Sequence, residues 1–468
     1  MIKVEKIFYD NKWISSLSNK VYSKKSLINK NVFHYADCSS KDLNKVILSA
    51  KLGLEINKNL KISERQKILK KITDLIRSNL NYLAKLEMQE TGKNFKDALS
   101  EIKHSISLWN YASNLKFRDN YKKNLNKNHF SFTKYEPVGI VSLIIPWNFP
   151  FIVLSERLPF ILAAGNSVII KPSEFASQSI IYLIKLIKKA GQKKGVLNFI
   201  TGKGEKIGKN LTEHKEINMI SFTGSTSTGK KIMKSSSNNI KRLNLELGGK
   251  NPILIFSDAN ISKTVDIIIK SFTLNSGQCC VATSRLFVEK KIKKKLTREL
   301  IKSLSKTKSF KQSYGLISNE KQLSKIKQIL KRNKRYEKKI IFGNTNNLKD
   351  NFMHPIIYEN LPLDSDLLKT EIFGPILTIN TFVSFSEAIN LANNTDYGLS
   401  AVICGEDKKR NLLAMDKIKA GRIWINQSID KNFPQLPIGG YKESGLNREC
   451  GPDAIKTYSE IKSVIIKK

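Results

Sequence analysis

From Val138 onward, short continuous apolar runs alternate with amphipathic stretches, and few architectures accept that rhythm. Val138 to Ile145, Ser167 to Lys171, Val196 to Ile200 and Asn218 to Phe222 read as strands. Phe151 to Ala163 reads as one helix, and Ser177 to Ala190 as another, stopped by Gly191. A strand that is apolar on both faces needs cover on both, so this pattern implies a parallel sheet between two layers of helices. A second series follows Gly249. Its strands are Pro252 to Phe256, Arg285 to Val288, Lys339 to Phe342, Ala401 to Cys404 and Gly421 to Asn426, with five amphipathic helices between them. At 468 residues the chain is too long for one core. The expected fold class is α/β: two doubly wound α/β domains in series, divided near Gly248-Gly249, with nucleotide-binding architecture. Ahead of them the first third reads as helical. One helix is expected over Lys41 to Glu55 and another from Glu64 to about Leu80, where Ser63 and Gln66 have capping-box spacing.

Composition excludes some functions. The formal charge is +41, but the lysines are scattered over most amphipathic segments, with no basic tail, zinc finger or RNA-binding aromatic motif. No specific nucleic-acid function is expected, only weak salt-sensitive binding. Five cysteines without framework spacing fit a reducing, cytoplasmic setting. The histidines form no paired ligand motif, so no metal site is expected. The amino-terminal stretch has no apolar signal-peptide core. The run from Val138 to Leu154 is broken by Pro146, Asn148 and Pro150, so a buried strand plus a helix start is expected there rather than a membrane span.

Several segments carry candidate chemistry. Cys280, in Ser276-Gly277-Gln278-Cys279-Cys280, follows an apolar helical run and reads as a thiol presented on a turn, although most such cysteines are inert and buried. Asn148 follows a strand within Pro146-Trp147-Asn148-Phe149-Pro150, where its amide either supports an oxyanion or satisfies a turn. Lys171-Pro172-Ser173-Glu174 either meets ribose hydroxyls or is a solvated loop. Thr223-Gly224-Ser225-Thr226 opens a helix and could hold a phosphate or merely cap it. Glu246, between Leu245 and Leu247, reads as a desolvated general base or as a partner for a lysine. Glu371, before Ile372-Phe373-Gly374-Pro375, is a lone acid at a turn.

Together these segments resemble the NAD(P)-dependent aldehyde dehydrogenase superfamily, betaine-aldehyde and ω-amino-aldehyde members included. The resemblance spans nearly the whole chain, from Phe8-Tyr9-Asp10-Asn11-Lys12-Trp13 through Glu90-Thr91-Gly92-Lys93 to Pro437-Ile438-Gly439-Gly440-Tyr441-Lys442-Glu443-Ser444-Gly445. It implies that Cys280 is the nucleophile, Asn148 an oxyanion donor and Glu246 the base that activates water. It implies cofactor contacts at Trp147, Lys171, Ser173, Glu174, Gly224, Ser225, Glu371 and Phe373. It further implies an NAD-binding domain over 1–121 and 138–248 and a catalytic domain over 249–447. A small β element over 122–137 and 448–468 would make homodimers or homotetramers. Glu174 would repel a 2′-phosphate, favouring NAD over NADP. Glu246 speaks for hydrolysis rather than transfer to coenzyme A. Glu156 and Asp430 either attract a cationic aldehyde, pointing to a small aliphatic or ω-amino aldehyde such as betaine aldehyde, or Glu156 simply pairs with Arg157 or a neighbouring lysine. The alternatives are a succinate-semialdehyde-type enzyme using Arg157 or Arg285, a CoA-acylating enzyme, or a non-catalytic basic protein on this fold.

Overall fold

The computed structural model describes residues 3–116, 122–126, 128–346, 348 and 350–467. Its main feature is a pair of large twisted sheets. The first has eight strands, in the spatial order Gly445–Leu446, Arg242–Glu246, Met219–Thr223, Ile140–Ile144, Ser167–Lys171, Leu197–Phe199, Ile7–Tyr9 and Lys12–Ile14. The five central strands are parallel and the outer ones antiparallel. From Ile140–Ile144 the chain winds outward through two strands, then returns to lay Met219–Thr223 on the other side. That reversal opens a crevice at the carboxyl ends of Ile140–Ile144 and Met219–Thr223. Val141, Val168, Ile170 and Ile220 are fully buried, as strands covered on both faces require.

The second sheet has seven strands, ordered Ile340–Phe342, Ile356–Glu359, Ile376–Phe382, Thr283–Glu289, Asn251–Ile255, Ser400–Cys404 and Arg422–Ile425. All pairs are parallel except the edge pair of Ile340–Phe342 with Ile356–Glu359. The chain enters this sheet directly from Glu246, the last residue of the first sheet's Arg242–Glu246 strand. The carboxyl edge of one sheet thus faces the amino edge of the other. A separate three-stranded antiparallel sheet joins Lys122–Asn126, His129–Pro137 and Ser459–Lys467.

Four expectations are corrected. The first third is not wholly helical, since Val4–Glu5, Ile7–Tyr9, Lys12–Ile14, Val21–Lys25 and Val32–Ala36 are strands. They are short, and four of them lie wholly or largely outside the core, so they lack the buried apolar run that betrays an inner strand. The second helix begins at Ile62, and Glu64, not Gln66, caps it by accepting from the Lys61 backbone N–H at 2.8 Å. Phe151 to Ala163 is two helices, Pro150–Ser155 and Leu158–Ala163, broken at Glu156-Arg157. Pro159 cannot continue a helix from the preceding turn, and the break turns Arg157 inward. Ile356–Glu359 and Ile376–Phe382 are strands that the apolar rhythm did not announce.

Candidate active site

The crevice between the two sheets gathers the candidate residues. Cys280 lies just ahead of the Thr283–Glu289 strand, on a turn that the backbone reaches by an unusual path. Asn275, Ser276 and Gly277 have φ of 51°, 54° and 70°, three consecutive left-handed residues. At Gly277 a Cβ would lie 2.3 Å from the Gly374 carbonyl oxygen, so only glycine fits. Gln278 clamps the turn. Its amide donates to Asn275 O and Leu316 O, both at 2.9 Å, and accepts from the Ser318 N–H at 2.9 Å. Asn251 holds the next stretch by donating to Cys280 O at 2.7 Å and Ala282 O at 2.9 Å, while accepting from the Ser400 N–H at 3.0 Å. Cys279 is buried, whereas Cys280 is partly exposed. The neighbouring Cys279 thiol, then burial, then the charges of Glu246 and Glu156 push the Cys280 thiol well up from its ordinary value.

Asn148 follows the Ile140–Ile144 strand and reaches the same turn. Its Nδ2 donates to Gln278 O at 3.0 Å, and Asn275 Nδ2 donates to Asn148 O at 3.0 Å. Glu246 ends its strand 5% exposed, with Oε1 lacking any hydrogen-bond partner. Burial first, and then the nearby Glu449 carboxylate, raise Glu246 well above the carboxylate range, against the pull of Arg157. Among the described residues no lysine pairs with Glu246. Its neighbours form a buried network instead: Arg157 pairs with Glu449, which also accepts from Asn244 Nδ2 at 2.5 Å.

The other candidates line the crevice. Lys171 is buried at a strand end, its Nζ donating to Pro172 O at 3.0 Å; burial lowers it, and Glu174 and Asp37 pull it back up. Ser173 is buried and its hydroxyl accepts from the Phe175 N–H at 3.3 Å, while Glu174 is half-buried. Gly224 donates its N–H to Glu246 O at 3.1 Å. Ser225 caps the helix Thr226–Ser236 by accepting from Thr228 N–H at 3.3 Å, so part of its role is structural. Glu371 accepts from the Gly249 N–H at 2.9 Å. Burial raises it, and that hydrogen bond, Lys325 and Lys250 hold it back. Trp147 and Phe373 meet edge to face, with ring centroids 5.5 Å apart. Phe373 sits at φ 60°, a strained angle for an aromatic residue, held by Gln322, whose amide donates to Ile372 O and Phe373 O, both at 2.9 Å.

Sequence reasoning missed Asn251, Gln278, Gln322 and Glu449, all of which brace the site. Gln278, inside Ser276-Gly277-Gln278-Cys279-Cys280, and Asn251, directly after Gly248-Gly249-Lys250, had motifs that could have flagged them.

The whole arrangement matches known proteins. The aldehyde dehydrogenase family model matches residues 13–464. This chain belongs to the aldehyde dehydrogenase family. Among its relatives, a betaine aldehyde dehydrogenase of Bacillus subtilis is 34% identical, the match covering 98% of this chain and 96% of that protein. Among solved structures, an NAD-dependent aldehyde dehydrogenase from Sinorhizobium meliloti superposes with a TM-score of 0.96 at 32% identity, covering 99% of this chain and 95% of that one. A Staphylococcus aureus betaine aldehyde dehydrogenase in complex with NAD+ gives 0.94 at 30% identity, over 99% and 95% of the two chains. Like these proteins, this aldehyde dehydrogenase is a mixed α/β protein built on parallel sheets. Among its described residues no helix is long and apolar enough to cross a membrane.

Proposed function

We propose that this chain oxidises an aldehyde to its carboxylate with NAD, using Cys280 as nucleophile, Asn148 as oxyanion donor and Glu246 as general base. The observation that carries the reading is the meeting of a partly exposed thiol with a buried carboxylate that has an unpartnered oxygen, beside an amide that reaches the same turn. The lining suits a dinucleotide. At Gly248 a Cβ would lie 2.6 Å from Glu371 Oε2, so the backbone there leaves an approach that a side chain would close. Ser225 and its neighbours offer hydroxyls and backbone N–H groups at the start of an 11-residue helix. Trp147 and Phe373 would flank the nicotinamide side, and Lys171, Ser173 and Glu174 the adenosine side. NAD, when bound, supplies the acceptor for the hydride that leaves the substrate carbon. The Glu174 carboxylate disfavours a 2′-phosphate and so NADP.

Each step can be assigned to residues of this chain. Ionised Glu246 opposes a Cys280 thiolate, so transfer of the thiol proton to Glu246 leaves one negative charge, on sulfur, instead of two side by side. The thiolate forms a C–S bond to the carbonyl carbon, and the carbonyl electron pair moves onto oxygen. Asn148 Nδ2 turns from Gln278 O to that oxyanion, joined by the Cys280 backbone N–H. Loss of the hydride leaves a thioester on Cys280. Glu246, having passed its proton to solvent, takes one from water as the water oxygen attacks the thioester. The C–S bond breaks, the thiolate returns, and the carboxylate departs.

The substrate reading is a small aliphatic or ω-amino aldehyde such as betaine aldehyde. Glu156 offers a half-buried carboxylate near Cys280, with Oε2 3.6 Å from the Arg157 guanidinium, and Asp430 a second acid. The cations considered for an acidic semialdehyde are both committed elsewhere. Arg157 is 1% exposed and bound to Glu449 and Val153 O. Arg285 donates to the carbonyls of Lys250, Leu391 and Ala392. The chain is taken to work in the cytoplasm, as a homodimer or homotetramer in which Ser459–Lys467 extends a partner's sheet. Ile461 and Ile465, 58% and 68% exposed on that strand, support such a contact. The same reading divides the chain into an NAD-binding domain over 1–121 and 138–248, a catalytic domain over 249–447, and the β element.

The test is NADH formation across an aldehyde panel with NAD and NADP, without coenzyme A. Aliphatic or ω-amino aldehydes with NAD are expected to lead, and the Cys280→Ala variant to be inactive. Full activity in that variant would refute the reading. A clear lead for acidic semialdehydes would refute its substrate part.

A further inference from the structure

We propose that Glu101, held by Lys93, positions Asn148 from behind and so tunes the oxyanion contact; this rests on the oxyanion reading of Asn148. Asn148 leads into the helix Pro150–Ser155, whose amino end has free N–H groups and no side-chain cap of its own, because its N-cap is Phe149. A remote residue supplies the cap. Glu101, on the helix Phe95–Asn114, accepts from the Ile152 N–H through Oε1 at 3.1 Å. Its other oxygen holds the ammonium of Lys93. Lys93 is fully buried, lies 3.6 Å from Glu87, and places its Nζ 4.3 Å from the centroid of the Phe149 ring. The ion pair therefore grips Phe149, directly after Asn148, and Ile152, four residues on. Asn275 in turn grips the Asn148 carbonyl.

Burial makes this grip stiff. The Lys93 and Glu101 side chains are at most 1% exposed, so neither charge can turn to water if the helix start moves. A shift of Ile152 would leave a buried carboxylate short of a donor, at a cost that an exposed cap would not impose. As whole residues Lys93 and Glu101 are 1% and 4% exposed, and their contacts with this segment run through Phe149 and the Ile152 N–H, so both act through residues 149–152.

The test is single-turnover NADH formation by the full-length enzyme at saturating NAD. Glu101→Leu is expected to slow it about 10-fold, the scale of a small misplacement of a reacting group. NAD affinity, read by fluorescence quenching, should be unchanged. Glu101→Gln keeps an acceptor for the Ile152 N–H but turns a donor toward Lys93, so it should slow the step less than Glu101→Leu does. In an Asn148→Ala background, Glu101→Leu should cost nothing further. If Glu101→Leu fails to fold, Glu101→Asp serves: it keeps a charge for Lys93 but draws the acceptor back by one methylene, and should slow the step in the parent background alone. An undiminished rate, or equal losses in both backgrounds, would overturn the proposal. An Asn148→Ala variant at full rate would instead remove the oxyanion reading, and this inference with it.

Discussion

Asn251 is the residue on which the Cys280 turn hangs, and replacing it should be costly in a calculable way. Its side chain is 2% exposed and makes three hydrogen bonds, to Cys280 O, Ala282 O and the Ser400 N–H. At about 1 kcal/mol net for each bond, Asn251→Ala should lose about 3 kcal/mol. Asn251→Asp should be worse at neutral pH. The introduced carboxylate could still accept from Ser400 N–H but would face two carbonyl oxygens where the amide donated. Burial and those carbonyls would raise its folded pKa above its unfolded value, about 3.9. The folded form then holds a proton that the unfolded form has lost, so stability falls as pH rises through that window. Urea unfolding relative to the parent enzyme at about pH 5 and about pH 8 would read this, with the Asp variant closer to the parent at the lower pH. Single-turnover NADH formation should slow in both variants because Cys280 is no longer held. A loss below about 1 kcal/mol for Asn251→Ala with an unchanged rate would refute the reasoning. So would an Asp variant that gains stability on going from the lower pH to the higher.

Other consequences follow from the same geometry. Glu246→Gln should leave a slowed but detectable burst of NADH while steady turnover falls by at least about 100-fold, measured by stopped-flow against steady-state rates. Because Glu246 is raised by burial and by Glu449, the acid limb of the turnover–pH profile should lie above the ordinary carboxylate range. Glu449→Gln removes a like charge and frees Arg157, so that limb should move to lower pH, and an unmoved limb would count against Glu246 as the base. Gly277→Ala puts a methyl group against the Gly374 carbonyl at a left-handed residue and should cost at least about 2 kcal/mol in urea unfolding, with loss of activity.

The inner strands were legible because burial on both faces leaves a mark that needs no partner to read. Val141, Val168, Ile220 and Ile253 announce themselves as apolar runs in any context. Edge and mixed strands carry no such mark. Ile376–Phe382 interleaves Thr and Asn with its apolar residues, and it becomes a strand because Thr283–Glu289 and Ile356–Glu359 lie on either side of it. The helix break at Glu156-Arg157 was hidden for the same reason: Arg157 turns inward to meet Glu449, almost 300 positions away.

What the sequence by itself determined is the alternation of buried strands and helices, and the set of residues able to carry the chemistry. Those follow from local chemistry: a thiol, an amide, a lone acid between leucines, and glycines where the backbone must turn. What only the tertiary structure decided is how those groups are held. The left-handed run at Asn275 to Gly277, the Asn251 bridge and the buried pair of Lys93 with Glu101 each depend on segments far apart in the chain. A hydrogen bond reports only its two ends, and nothing in the order of residues records which distant end packing will bring within reach.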